Sequence, residues 1–273
     1  MNLSIYLSFY VLIIVSVIGY GLLLQNVLRN ITYIEFEYNL LGSLLFLILL
    51  SFFTHFFFKH GYIHNTVILS IGIISFIFFF LKKKKIFEKY LNYICLIFGI
   101  LLIAFLTAKT HDDFPYYHFP YTYYLTQHSF YFGVGEFNHG FRTPSSIFYI
   151  NSLFYLPYIE YYLFNISQVL ILGFVNIILI KKIGCLFISK IKNQKINYIN
   201  YLSLLSFIFI NIFFYRIAEH GTDRSAQILI FLLIIEIFYL KDLKKIKSEN
   251  LFYIYLLIAI IISLKAFYVL YIT

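Results

Sequence analysis

Two adjacent carboxylates, Asp112 and Asp113, stand between two histidines in the run Lys109-Thr110-His111-Asp112-Asp113-Phe114-Pro115-Tyr116-Tyr117-His118. They emerge at the end of an apolar run, where the dielectric is falling. Mutual repulsion and partial desolvation there should raise the pKa of one of them, which is what a general base needs. The plainer use is capping of a helix after Pro115, with Asp113 as N-cap; that employs one acid and leaves the other unexplained. His111, Asp112, Asp113 and His118 are also the donor types of a divalent-metal site. Spacing alone is weak evidence for an ion, so the expectation is no obligatory cofactor, with a metal on His111, Asp112 and His118 as the alternative. A second polar run, Arg216-Ile217-Ala218-Glu219-His220-Gly221-Thr222-Asp223-Arg224-Ser225, precedes another apolar stretch. Thr222 or Asp223 can cap the helix that follows, and a helix N-terminus carrying Arg224 favours a phosphate or pyrophosphate. A capping Asp beside a solvated Arg explains the same residues. Arg216, Glu219, His220, Asp223, Arg224 and the distant Lys265 are the expected phosphate contacts, with His111 and His118 beside them; Lys265 is also long enough to snorkel. The Gly-punctuated loop 133–144 adds Glu136, His139 and Arg142 as candidate substrate contacts.

The elements that must position these groups follow from composition. The 273 residues are 62% apolar, 22% aromatic and only 12% charged, with a mean hydropathy of +0.85. Soluble domains carry roughly 25% charged residues, so a soluble enzyme is excluded. Apolar runs near 5–25, 40–58, 65–81, 91–107, 161–180, 199–215, 226–240 and 251–270 predict about eight membrane-spanning helices. The fold class expected is an all-α polytopic bundle, residues 1–273 forming one integral membrane domain with no soluble domain. The stretch 147–180 is long enough for two short spans. One span preceded by an interfacial helix over Ile147–Ile159, broken near Pro157, keeps the charge pattern intact.

That pattern is set by lysine, which outnumbers arginine 17 to 4. The clusters Lys82-Lys83-Lys84-Lys85, Lys181/Lys182/Lys190/Lys192/Lys195 and Lys241/Lys244/Lys245/Lys247 fall in alternate links, so all three can face the cytoplasm. The N-terminus is then outside, together with the loops 59–64, 108–146 and 216–225. The net charge of +9 lies on the cytoplasmic side, the outer loops holding five basic and five acidic residues. It is an orientation signal, and nucleic-acid binding has no support. All eight histidines and Arg142, Arg216 and Arg224 belong to the outer side. Arginine is chosen there in a lysine-rich chain, which points to a planar or phosphate oxyanion. Most of the tyrosines and phenylalanines that follow Asp113 read as an interfacial aromatic belt. Cys95 and Cys185 form no CxxC and no disulfide framework.

These outer motifs resemble the GT-C type glycosyltransferases, multi-span enzymes that use polyprenyl-phosphate-linked sugars. The resemblance rests on Asp112-Asp113 at the start of a long outer loop and the aromatic helix after it. It extends to the return segment His139-Gly140-Phe141-Arg142-Thr143-Pro144-Ser145-Ser146 and to Glu219-His220-Gly221-Thr222-Asp223-Arg224. It implies inverting sugar transfer at the external face of a bacterial inner membrane. Asp112 would be the base, and Arg224, Arg216 or Lys265 would stabilise the departing lipid phosphate. The acidic loop follows the fourth span here, whereas the family places it after the first. Because the family has more spans, the resemblance also implies a truncated or reduced relative ending at Thr273. Two other classes fit the outer charges: a transporter or flippase for an anionic or lipid-linked substrate, and an O-antigen-polymerase-like enzyme.

Overall fold

A computed structural model of the chain describes residues 2–28, 34–82, 84–107, 111–142, 145–191, 198–243 and 248–272. Among these residues it forms ten α-helices and no strand beyond a single isolated bridge, Leu156 with Glu160. They are α1 Leu3–Leu28, α2 Phe36–His55, α3 Tyr62–Lys82, α4 Lys84–Thr107, α5 Phe119–Gln127, α6 Ser146–Ser152, α7 Ile166–Ile191, α8 Tyr198–Phe213, α9 Asp223–Asp242 and α10 Ser248–Leu264. Every apolar run named above is occupied by a helix. Five are long and apolar enough to cross a membrane: α1, α2, α3, the Tyr90–Thr107 part of α4 and the Ile166–Cys185 part of α7. They mark the chain as an integral membrane protein. The apolar helices α8 and α10 are shorter, with 16 and 17 residues, and α9 carries Asp223, Arg224, Glu236, Lys241 and Asp242 within its 20 residues.

Helix α7 is the axis of the bundle. Val169, Leu170, Leu172, Phe174, Val175 and Leu179 are sealed from the surface by α2, α4, α6, α8 and α9 packed around it. By contrast α3 and α4 turn Ile63, Ile74, Leu81, Leu96, Ile100 and Ile103 outward, an apolar surface that only lipid tolerates. Small residues set the closest approach, between α1 and α3. A Cβ on Gly19 would overlap the carbonyl of Gly72, and one on Gly72 would overlap Ser16. Ser16 and Tyr20 donate across the same contact to the carbonyls of Leu69 and Ile68, at 3.0 and 2.7 Å. Without a hydrophobic force between helices in lipid, such close packing and interhelical hydrogen bonds hold the pair.

The stretch 147–180 holds one long helix, and its lead-in, expected as a helix over Ile147–Ile159, is α-helical only as far as Ser152. All seven residues of α6 are buried, and the chain beyond it runs without regular helix to Ile166. Its backbone is satisfied by side chains of other elements. Asn65 of α3 donates to the carbonyls of Ser152 and Tyr155, at 2.8 and 2.9 Å. Ser145 caps α6 by accepting from the Ile147 N–H and donates to the carbonyl of Leu264 in α10. Buried backbone outside regular helix needs partners of this kind. Asn176 and Asn211, isolated in the sequence, are partners: their amides exchange hydrogen bonds of 3.0 and 2.8 Å between α7 and α8.

Polar contacts sort the links into two ends. One end joins Glu35, Glu37, Lys181, Lys182 and Glu236; the other joins the loops around 60, 111–118 and 217–223 with Lys265. Links that the lysine pattern assigns to one side therefore meet. Lys83, Lys192, Lys195, Lys244, Lys245 and Lys247, which belong to that pattern, lie outside the described residues, as do Lys109, Thr110, Thr143 and Pro144.

Candidate functional site

After α4 the chain re-enters at His111, whose N–H donates to the carbonyl of Ala218 at 3.3 Å. That bond ties the first polar run to the second. The next turn, Phe114–His118, is π-helical with Pro115 near its start, and the His118 N–H donates to the Asp113 carbonyl at 3.4 Å. A π turn closes over five residues, where an α turn closes over four. It therefore stacks His118 over Asp113. Asp113 occupies the N-cap position, yet its carboxylate makes no capping bond. It accepts from the Tyr117 hydroxyl at 3.3 Å and lies 3.7 Å from His111 Nδ1, which itself accepts from the Asp113 N–H at 3.0 Å. Capping therefore does not use up the acid pair. Asp113 is half-buried in a cluster, while Asp112 is exposed beside it.

His118 is 6% exposed, and its Nε2 has no hydrogen-bond partner among the described residues. Its ring is boxed by Tyr117, Phe148 and His111, at centroid separations of 4.4, 5.2 and 5.2 Å. Burial pushes its pKa down to about 4, with His111 adding to the fall; Asp113 and Asp223 oppose it. The ring is thus a neutral imidazole at pH 7. Ligand atoms of His111, Asp113 and His118 all lie within 4.8 Å of one another. The expected metal set took Asp112 as its acid; the register of the π turn supplies Asp113 instead.

The second polar run closes over this cluster. Gly221 is left-handed, at φ 51°, and a Cβ there would come 3.1 Å from His118 Cε1 and 3.5 Å from His111 Cδ2. Two residues on, Asp223 in the first turn of α9 pairs with Lys265, just past the end of α10. Lys265 thus reaches the site layer and does not merely snorkel. Beside it Glu219 accepts from Arg224 at 3.1 Å and from Arg216 at 3.4 Å. Burial pushes the Glu219 carboxyl up, but the two guanidinium groups outweigh it and hold the pKa below the ordinary value. His220 is buried under this turn and donates from Nε2 to the Phe214 carbonyl at 2.6 Å. Burial lowers its pKa to about 4, against the Phe214 bond and with help from Arg224. The loop 134–142 packs on the opposite flank, with Gly140 against the Tyr117 ring and Asn138 donating to the Tyr116 carbonyl at 2.9 Å. Arg142, however, spends its Nε on the Gly135 carbonyl at 3.2 Å and does not join the cluster.

Two groups of polar residues escape a reading by motif. Glu236, which by position in α9 looks like a snorkelling residue aimed at Lys241, is instead 3% exposed. It pairs with Lys182 at 2.9 Å and accepts from the Tyr38 hydroxyl. With Glu37, Lys181 and Tyr253 it lines a cavity of about 390 Å3 at the far end of the bundle. Near the site end, His60 donates from Nε2 to the Ser51 carbonyl at 3.1 Å and accepts from the Ser152 hydroxyl at 2.6 Å through Nδ1. The signal for the first group was a run of glutamates facing lysines at the same depth in the bundle; for the second it was only a histidine next to a glycine.

The chain belongs to the family described as a domain of unknown function (DUF8201), whose profile matches residues 1–273. No curated protein and no solved structure matches it significantly.

Proposed function

We propose that this member of a family of unknown function is a GT-C-like membrane glycosyltransferase. It moves a sugar from a polyprenyl-phosphate donor to an acceptor hydroxyl at the outer face of a bacterial inner membrane, its N-terminus on that face. The supporting observation is convergence: two polar runs about a hundred residues apart in sequence, and Lys265 from a third segment, meet in one layer at a helix-bundle end. Asp112, exposed and uncommitted to the Tyr117–Asp113 contact, takes the proton of the acceptor hydroxyl. The acceptor oxygen then bonds to the anomeric carbon as the bond from that carbon to the phosphate oxygen breaks, and the configuration inverts. The negative charge left on the lipid phosphate falls to Lys265, whose side chain is 41% exposed, and to Arg216 and Arg224. A groove of about 1110 Å3 at the same end has an apolar wall of Leu50, Val67, Ile68 and Ile71 under a polar mouth of Lys59, His64 and His128. Helix α5 links it to His118 over about 13 Å, which suits an isoprenoid chain with its head group directed at the cluster.

In membranes carrying the full chain, Asp112→Asn should lower transfer of labelled sugar from a polyprenyl-phosphate donor by about 100-fold or more. Unchanged transfer removes the base assignment. The transporter reading keeps one observation in its favour. The pairs Glu37–Lys181 and Glu236–Lys182, whose carboxylates are buried, lie around a cavity at the opposite end, and charged pairs along a bundle often mark a substrate path. Donor-dependent uptake into vesicles without any transfer product would establish that reading instead.

A further inference from the structure

We propose that His111, Asp113 and His118 bind one divalent transition ion of the zinc class. A tetrahedral ion with bonds of about 2.0–2.2 Å holds its ligand atoms about 3.3 Å apart. His111 Nδ1 and Asp113 Oδ2 are already 3.7 Å apart, and no pair of ligand atoms in the trio exceeds 4.8 Å. Closing on an ion takes side-chain movements of about 1 Å. The Nδ1 lone pair of His111 points at the Asp113 N–H, a partner the ion would replace.

A second, independent observation points to a ligand. His118 is buried by more than nine-tenths, and its Nε2 has no hydrogen-bond partner among the described residues. A buried ring nitrogen without a partner is costly unless something fills the place. The surroundings are those of a supported site. The Tyr117 hydroxyl orients the Asp113 carboxylate, as outer partners of metal ligands do. Gly221 lets the backbone pass where any Cβ would crowd both imidazoles. Two imidazoles and one carboxylate select zinc-like ions over magnesium and calcium, which prefer all-oxygen sets. Three protein ligands leave a fourth position for water or a phosphate oxygen. The site requires only these side chains and stands or falls apart from the transfer reading.

The test uses the full chain in detergent, stripped with chelator, loaded with Zn2+ and desalted. Metal is counted by mass spectrometry, and affinity is measured by competition with a chromophoric chelator. We expect one zinc per chain, not displaced by millimolar Mg2+, and four-coordinate visible bands when Co2+ replaces it. Affinity should fall at least tenfold in His118→Gln and Asp113→Asn and stay unchanged in His128→Gln, an exposed histidine just beyond α5. Should His118→Gln fail to fold, the half-exposed His111→Gln gives the same reading. Substoichiometric zinc, or equal affinity in every variant as adventitious binding gives, overturns the proposal. Zinc without sugar transfer leaves the metal site standing and removes the transferase; transfer without zinc does the reverse.

Discussion

Both ends of the bundle concentrate charge, and they do so in opposite ways. At the Lys-rich end two lysines of α7 meet three carboxylates: Lys181 lies 2.9 Å from both Glu35 and Glu37, and Lys182 lies 2.9 Å from Glu236 of α9. At the His-rich end the groups are close but unfinished. His118 Nε2 has no partner among the described residues, Asp113 declines its cap, and Asp112 stands exposed. Ion pairs between helices hold them in register, whereas unspent donors and acceptors grouped at one end of a bundle are what chemistry requires. The candidate site is therefore placed at the His-rich end, which also holds ion pairs of its own, Asp223 with Lys265 and Glu219 with Arg216 and Arg224.

The contrast can be broken in three ways. The largest effect belongs to the Lys-rich end. Lys182→Met strands the Glu236 carboxylate inside the bundle and should cost about 3–5 kcal/mol, measured by thermal or denaturant unfolding in detergent. Zinc stoichiometry at the other end should be unaffected. A loss below about 1 kcal/mol would mean that this end, too, is merely solvated charge.

Acid comes next and acts on the His-rich end alone. Burial lowers the pKa of His60 to about 3, with His55 and His64 adding to the fall and the Ser51 bond opposing it; the unfolded chain titrates near 6.5. Between these values only the unfolded chain binds the proton, so stability is complete above about pH 6.5 and falls as pH drops. From pH 6.5 to 5 the loss from His60 is about 2 kcal/mol. His60→Gln should reduce the slope by that amount in a pH series of unfolding curves, His118 and His220 keeping their share of it; an unchanged slope removes His60 as a source.

The smallest effect comes from Gly221→Ala. A left-handed backbone at φ 51° costs a non-glycine residue about 1–2 kcal/mol, and the new Cβ presses on the His118 ring. Unfolding midpoints should fall modestly while zinc affinity drops further than stability does. Equal effects on both would make Gly221 a simple turn residue.

Much of the architecture was legible because lipid is an unforgiving solvent. Helices α1 to α4 and α7 to α10 each cover an apolar run, since every exposed backbone group in a bilayer must be bonded within its own helix. What the runs conceal is which apolar stretch faces protein and which faces lipid. Ile147–Ile159 reads as one interfacial helix, yet the helix ends at Ser152 and is buried, and Asn65 satisfies the carbonyls of Ser152 and Tyr155 from a distance. Glu236 was misplaced for the same reason: hydropathy gives depth along a helix and says nothing of the face it turns to Lys182. At the site, spacing found the acids and histidines but not which acid, Asp112 or Asp113, lies against the two rings. That choice depends on a π turn, and His111-Asp112-Asp113-Phe114-Pro115 reads equally well as the start of an ordinary helix. The meeting of 111–118 with 217–223 is a tertiary contact that no local pattern encodes.

The buried lead-in to α7 also imposes an order of biosynthesis. Asn65, which secures the carbonyl of Ser152, is made 87 residues earlier and is waiting when that segment leaves the ribosome. Leu264, whose carbonyl receives the Ser145 hydroxyl, arrives 119 residues later, a delay of roughly ten seconds at ordinary translation speed. During that interval the segment rests on α2, α3 and α5, all made before it, and only its hydroxyl bond to the tenth helix is still to come.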